Sequence, residues 1–270
     1  MNQYLPPLID LHTSEYTDVW TMRGMHQHNS ERLCNLMDLN NPMTQRIHAK
    51  LSYILYQILS LSNDEWEFFF VPNGSSANQL SVDIAQLIHG RDMSAAVLQY
   101  SHSSLFFALS RSNIAVSSIT QASRAQYVSV VTGQTQTGII ESVPEETPED
   151  TWLHIDAAYG GFKLGLLPDV YPEKQQMMQV LHDKRVSSIT LDFHKFFCAD
   201  TLSVLCIKKP YMDMLQNISV PYFASNIASS ATTTLSASGA HQVIDLFQST
   251  SLEFLILILF RFSFKIPLSP

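Results

Sequence analysis

The sequence predicts an α/β layered domain with a mostly parallel sheet. Two observations carry that expectation. Short apolar segments rich in β-branched or aromatic residues alternate with longer segments whose apolar residues recur at helical spacing. Two of the short segments, Trp152–Ile155 and Val186–Leu191, flank one of the helical ones, as a strand, a crossover and a parallel strand would.

In chain order, Gln45–Leu61 carries Ile47, Leu51, Ile54, Leu55, Ile58 and Leu59, the pattern of a helix with one buried face. Glu67–Val71 holds three phenylalanines and reads as a buried strand. Pro72-Asn73-Gly74-Ser75-Ser76-Ala77-Asn78 follows, then Leu80, Ile84, Leu87 and Ile88 mark a helix. Gly74 is expected to permit a tight turn, and Ser75 or Ser76 to cap the helix. Strands are expected over Ala95–Gln99, Ile114–Ile119 and Tyr127–Val131, with an apolar helix reaching Leu109 between the first two. Glu141–Asp150 contains five carboxylates and reads as a solvated loop. Glu173–His182 is the expected crossover helix. Leu202–Ile207 is a further strand, and Pro210–Gln216 a helix start.

The chemistry concentrates at two strand ends. Trp152–Ile155 breaks at Asp156-Ala157-Ala158-Tyr159-Gly160-Gly161, and Val186–Leu191 breaks at Asp192-Phe193-His194-Lys195. The carboxyl ends of parallel strands lie on one side of a sheet, where ligands of open α/β sheets bind. This places the Asp156 carboxylate and the Lys195 amine at one crevice. A lysine amine forms a Schiff base with an aldehyde, and a carboxylate keeps a pyridine nitrogen protonated. The Gly-Ser turn before the helix that starts near Ser75 adds an anion-binding geometry, because helix N-termini present unpaired N–H groups.

His154-Ile155-Asp156-Ala157-Ala158-Tyr159-Gly160-Gly161 together with Asp192-Phe193-His194-Lys195 closely resembles the pyridoxal phosphate-dependent group II amino acid decarboxylases, the aromatic amino acid, glutamate and histidine decarboxylase group. The resemblance implies the aspartate-aminotransferase-like fold (fold type I), with a mixed seven-stranded sheet and helices on both faces. It implies decarboxylation of an L-amino acid to the amine and carbon dioxide with pyridoxal 5'-phosphate as cofactor. Lys195 is then the lysine that tethers the cofactor, Asp156 the partner of the ring nitrogen, and Ala158 the residue packed on one ring face. His102, after the Ala95–Gln99 strand, matches the histidine that stacks on the ring. Ser75, Ser76 and His194 match the phosphate-binding positions. In Gly133-Gln134-Thr135, Gln134 replaces the first threonine of the family's Gly-Thr-Thr turn and leaves Thr135 as the pocket residue. Tyr222 matches a loop tyrosine that protonates the reaction intermediate. Phe193 stands where the family has proline or a small residue, and Ser236-Ala237-Ser238-Gly239 lacks the family's arginine.

The resemblance runs from about Gln45 to about Phe247. It implies an N-terminal arm over residues 1–45, packed on a dimer partner, a cofactor-binding domain over 46–250, and an atypical apolar tail over 251–270 in place of a smaller C-terminal domain. A homodimer is the expected assembly. The alternatives are another enzyme of the same fold, a carbon–carbon lyase or an aminotransferase, or a truncated relative without catalysis.

Composition sets outer bounds. At 270 residues, 46% hydrophobic and 15% charged, the chain is long enough for one sizeable core. A formal net charge of -8 gives no electrostatic support to nucleic-acid binding. Cys34, Cys198 and Cys206 give neither an even framework nor a metal spacing, and His26 and His28 gather no further ligands, so no metal site is expected. The N-terminus shows no secretory pattern, which makes a cytoplasmic setting the expectation. The apolar run Phe254–Phe260 is far short of the roughly 20 residues of a membrane span.

Overall fold

The computed structural model describes residues 52–71, 73–98, 100–197 and 203–211, without the side chains of Phe70, His194 and Phe197. Tyr222, Cys34, Cys198, the segment 236–239, the arm over 1–45 and the tail over 251–270 lie outside the described residues.

The elements follow the expected alternation. A helix over residues 52–59 (α1) leads to β1 (Trp66–Val71), α2 (Gly74–His89), β2 (Ser94–Val97), α3 (Ser103–Arg111) and β3 (Ala115–Ser118). A short 3-10 helix, Ile119–Arg124, precedes β4 (Tyr127–Val131) and β5 (Trp152–Asp156). Then come α4 (Gly160–Gly165), α5 (Pro172–Leu181), β6 (Val186–Asp192), α6 (His194–Phe197) and β7 (Ser203–Lys208).

Among the described residues the strands form one seven-stranded sheet in the order β1-β7-β6-β5-β4-β2-β3. β7 is antiparallel to both neighbours, and every other pairing is parallel. Every residue of β4, β5 and β6 is buried, as strands covered on both faces must be. Alternation along these strands sends Leu153, Ile155, Ile189 and Leu191 into one apolar layer with Leu55, Ile58, Phe162, Met177 and Leu181 of the helices. The opposite layer joins Tyr127, Trp152 and Leu205 to Ala77, Val82 and Ala85 of α2 and Leu105 and Leu109 of α3. The result is three layers, helix on sheet on helix.

Phe193 does not face the strand-end crevice; its ring packs 4.7 Å from that of Phe162, inside the first layer. Of the large apolar residues that mark α2, Ile84 is buried and Leu80 and Ile88 pack against the second layer, but Leu87 is 60% exposed. The buried stripe is otherwise made of small or polar residues: Gly74, Ala77, Asn78, Ser81 and Ala85, with Val82. Small residues let the helix backbone come close to the strands.

The paired glycines after β5 have separate reasons. A Cβ on Gly160 would lie 2.5 Å from the Gly133 Cα and would overlap the Thr132 carbonyl oxygen, so two backbones touch. Gly133 itself sits at φ +73, in the left-handed region. A Cβ on Gly161 would overlap only the Leu191 side chain and approach Ala157 at 3.2 Å. A side chain can rotate away and a backbone in a sheet cannot. Gly160→Ala is therefore expected to cost about 3 kcal/mol or more, and Gly161→Ala about 1–2 kcal/mol. Urea midpoints of the two variants check the order.

Candidate active site

The carboxyl ends of two paired strands carry Asp156 and Asp192, with Lys195 just beyond. Asp156 closes β5 and Asp192 closes β6, two strands that pair directly, with Asp156 opposite Thr190. Lys195 follows at once in α6, and its Nζ lies 3.8 Å from Oδ2 of the buried Asp192. The start of α2 passes over this edge. A Cβ on Gly74 would stand 3.2 Å from Asp192 Oδ2 and 3.6 Å from Ala158 Cβ. Its φ is not positive, so Gly74 serves close packing over the crevice, not the tight turn expected of it.

Asp156 is 5% exposed and held on both oxygens. The Ala158 backbone N–H donates to Oδ1 at 3.1 Å, and Asn78 Nδ2 donates to Oδ2 at 3.2 Å. Behind it, between α2 and the sheet, lies a buried polar chain. The indole N–H of Trp152 donates to Ser81 Oγ and Ser188 Oγ, both at 3.0 Å. Those hydroxyls stand 3.0 Å and 2.8 Å from His154 Nδ1. Asn78 Nδ2 donates to Asp156, so its Oδ1 is turned to His154 Nε2 at 3.2 Å and accepts the imidazole proton, which leaves Nδ1 to accept from the serine hydroxyls. Tyr127 completes the cluster, its hydroxyl 3.3 Å from Ser81 Oγ. Burial drives the Tyr127 hydroxyl well above its ordinary range.

His102 lies on the open side. It is the N-cap of α3: its Nδ1 accepts from the Ser104 N–H at 3.2 Å and faces the Ser104 hydroxyl at 2.8 Å. Ser104 Oγ in turn accepts from Asn78 Nδ2 at 3.0 Å. His102 therefore carries its proton on Nε2 and connects, through Ser104 and Asn78, to Asp156.

Neither Ser75 nor Ser76 caps α2. Asn73 does, with Oδ1 accepting from the Ser76 N–H at 2.9 Å and from Ser76 Oγ at 3.1 Å. Ser75 and Ser76 instead line a groove of about 590 Å³ between the starts of α2 and α3, shared with His102 and Ser104. Thr135 is exposed, in a turn tied together by Gln134, whose Oε1 accepts from the N–H groups of Gln136 and Thr137 at 2.7 and 2.8 Å. The neighbouring Thr132 is fully buried beside β5, its N–H on the Asp156 carbonyl. Glu141, expected in a solvated loop, is partly buried with Oε2 accepting from the Val131 N–H at 2.8 Å, and burial raises its carboxyl above the usual range. The α6 backbone places His194 beside Lys195, and its side chain lies outside the described residues. Among the described residues no cluster of potential ligands suits a metal ion, and no helix is long and apolar enough to cross a membrane.

No protein-family model matches the chain, and no curated protein matches it in sequence. Solved structures do match in fold. Oryza sativa TDC, solved with PLP and tryptamine, superposes with a TM-score of 0.56 at 15% identity, over 77% of this chain and 52% of its own. The glutamate decarboxylase domain of a Vibrio parahaemolyticus diaminobutyrate-pyruvate transaminase and L-2,4-diaminobutyrate decarboxylase gives 0.53 at 18%, over 81% and 56%. The chain has the aspartate-aminotransferase-like fold of the pyridoxal phosphate-dependent decarboxylases. A Burkholderia pseudomallei sphingosine-1-phosphate lyase shares that fold, with a TM-score of 0.51 at 15% identity, over 80% of this chain and 61% of its own. The chain thus spans just over half the length of each of these proteins.

The residues that sequence reasoning missed are Asn78, Ser81, Ser104 and Ser188, together with the buried role of His154. The usable signal was the spacing of Asn78 and Ser81 with Gly74 and Ala85, a polar and small stripe along a helix.

The imidazole of His154 is fully buried, and that burial lowers its pKa from 6.5 to about 4, with the nearby Asp156 opposing the shift. The unfolded chain takes up this proton as pH falls below 6.5, and the folded chain does so only near 4. The sign follows: the folded state loses stability as pH drops through that window. From this group alone, unfolding at pH 5 should cost about 2 kcal/mol less than at pH 7. Urea titrations at the two pH values check this, and His154→Gln should remove that component of the slope.

Proposed function

We propose that the chain contains the cofactor-binding part of a pyridoxal phosphate-dependent decarboxylase acting on an L-amino acid. What supports this reading is a doubly hydrogen-bonded, buried Asp156 at the end of β5, with Lys195 following the end of the adjacent parallel strand β6 beside Asp192. The side chains present suit the cofactor. Asp156 retains acceptor capacity beyond its two hydrogen bonds. Gly74 leaves a space that any Cβ would fill, bordered by Asp192 and Ala158. The buried hydroxyl of Thr132 at the same edge has no hydrogen-bond partner.

When bound, pyridoxal phosphate supplies an aldehyde for the lysine and an electron-withdrawing ring. In this reading Lys195 would hold the aldehyde and Asp156 would keep a proton at the ring nitrogen. Ala158 and His102 would pack against the ring, the His102 imidazole being oriented by the Ser104 contacts at Nδ1. Ser75, Ser76 and His194 receive the phosphate at the start of α2, where helix N–H groups favour an anion. Thr135 borders the pocket from the turn after β4. The products would be the amine and carbon dioxide, with Tyr222, outside the described residues, as the group that would supply a proton to Cα. A homodimer in the cytoplasm is the assembly and setting that accompany this reading.

Incubation with pyridoxal phosphate and then borohydride should fix the cofactor on Lys195, read as a mass shift of the peptide that carries it. Lys195→Ala should lose both the shift and the visible absorbance. An unchanged spectrum in that variant would refute the assignment. Amine plus carbon dioxide from a panel of L-amino acids supports a decarboxylase; an aldehyde or a keto acid points to a lyase or an aminotransferase.

A further inference from the structure

Asn78 closes the Gly-Ser stretch at the start of α2 and carries none of the roles assigned above. It is 1% exposed, on the sheet-facing stripe of α2, and all its polar atoms are engaged. Oδ1 accepts from His154 Nε2, and Nδ2 donates both to Asp156 Oδ2 and to Ser104 Oγ. The Asp156 carboxylate fixes this orientation: with Nδ2 donating to it, Oδ1 is the atom left facing His154 Nε2, which therefore carries the imidazole proton. A flipped amide would set an oxygen against the Asp156 carboxylate at 3.2 Å, two acceptors facing one another.

We infer that Asn78 is a positioning residue: clamped by His154, it aims the Asp156 carboxylate at the ring nitrogen of the cofactor. Its second N–H holds Ser104, and through Ser104 the imidazole of His102, so one amide sets both groups. The role rests on the pyridoxal phosphate reading above. Its physical content is orientation. A carboxylate restrained by one N–H from Ala158 can still rotate about its Cβ–Cγ bond; a second donor on the other oxygen stops that rotation. A restrained carboxylate meets a protonated ring nitrogen without an ordering cost, and charge-assisted bonds of this kind are the strong ones.

The test compares two probes. Pyridoxal phosphate has the ring nitrogen; deazapyridoxal phosphate has carbon in its place and gives Asp156 nothing to pair with. Dissociation constants for both are measured on wild-type protein, Asn78→Ala and Asn78→Asp, the last being isosteric and retaining the acceptor for His154. In wild type the nitrogen-bearing probe should bind more tightly. That preference should fall about tenfold or more in both variants, the size of a lost hydrogen bond to a charged group. Borohydride should still label Lys195 in them. Equal weakening toward both probes, with the preference intact, would mean that Asn78 acts only in folding and overturns the assignment. A wild-type chain that labels Lys195 yet shows no preference between probes would also overturn it. A wild-type chain that takes up neither probe would sink the cofactor reading itself, and the role of Asn78 with it. Ser104→Ala cuts only the His102 branch and should keep the wild-type preference; a loss there would move the aiming role from Asn78 to Ser104.

Discussion

A neutral imidazole sealed between a helix and a sheet underlies the arrangement at the strand ends. His154 has water on no side, so every ring nitrogen must find a partner within the protein. Serine hydroxyls from α2 and β6 satisfy one nitrogen, and the Asn78 amide satisfies the other. An unpaired member of such a network would cost more than the network contributes, so its geometry is strict. That strictness is transmitted outward. The same amide that answers His154 reaches Asp156 and Ser104, and Ser104 reaches His102. A buried histidine remote from the open crevice thereby dictates how two groups at its edge are turned.

The close approach of α2 to the sheet makes this possible. Alanines and serines on its inner stripe, with Gly74 at its start, allow side chains as short as Ser81 and Asn78 to span the gap to β5 and β6. A leucine at either position would push the helix away and leave Asp156 with one donor. The apolar layer on the other face tolerates larger groups, and there Phe162 and Phe193 pack ring on ring.

Much of this architecture was readable from the chain. β4 has the bounds that its β-branched run suggests, and β5 and β6 extend one residue past the apolar run to include Asp156 and Asp192. Strand ends are legible because a carboxylate after an apolar run is a conspicuous change of chemistry. The adjacency of Asp156 and Asp192 then follows from the crossover rule. What escaped was the small-residue part of the α2 face: Leu80, Ile84 and Ile88 do meet the core, but Ala77 and Ala85 carry no weight in a periodicity count, and Leu87 meets solvent. The cap of the same helix was misplaced for a related reason: Asn73, Ser75 and Ser76 all suit a cap, and only the backbone turn selects Asn73. Partnerships such as Asn78 with His154 join residues 76 positions apart and leave no local trace.

The antiparallel β7 lies between β1 and the rest of the sheet, with Trp66 opposite Lys208 and Asp192 opposite Ser203. Trp-Glu-Phe-Phe-Phe-Val is thus made early by the ribosome, and its hydrogen-bonding partner emerges some 130 or more residues later. At about 5–20 residues per second this leaves the strand without its mate for many seconds. A bare, aromatic-rich ribbon of that kind is a template for pairing with other nascent chains. Completion of the sheet on the β1 side therefore waits on the last described strand.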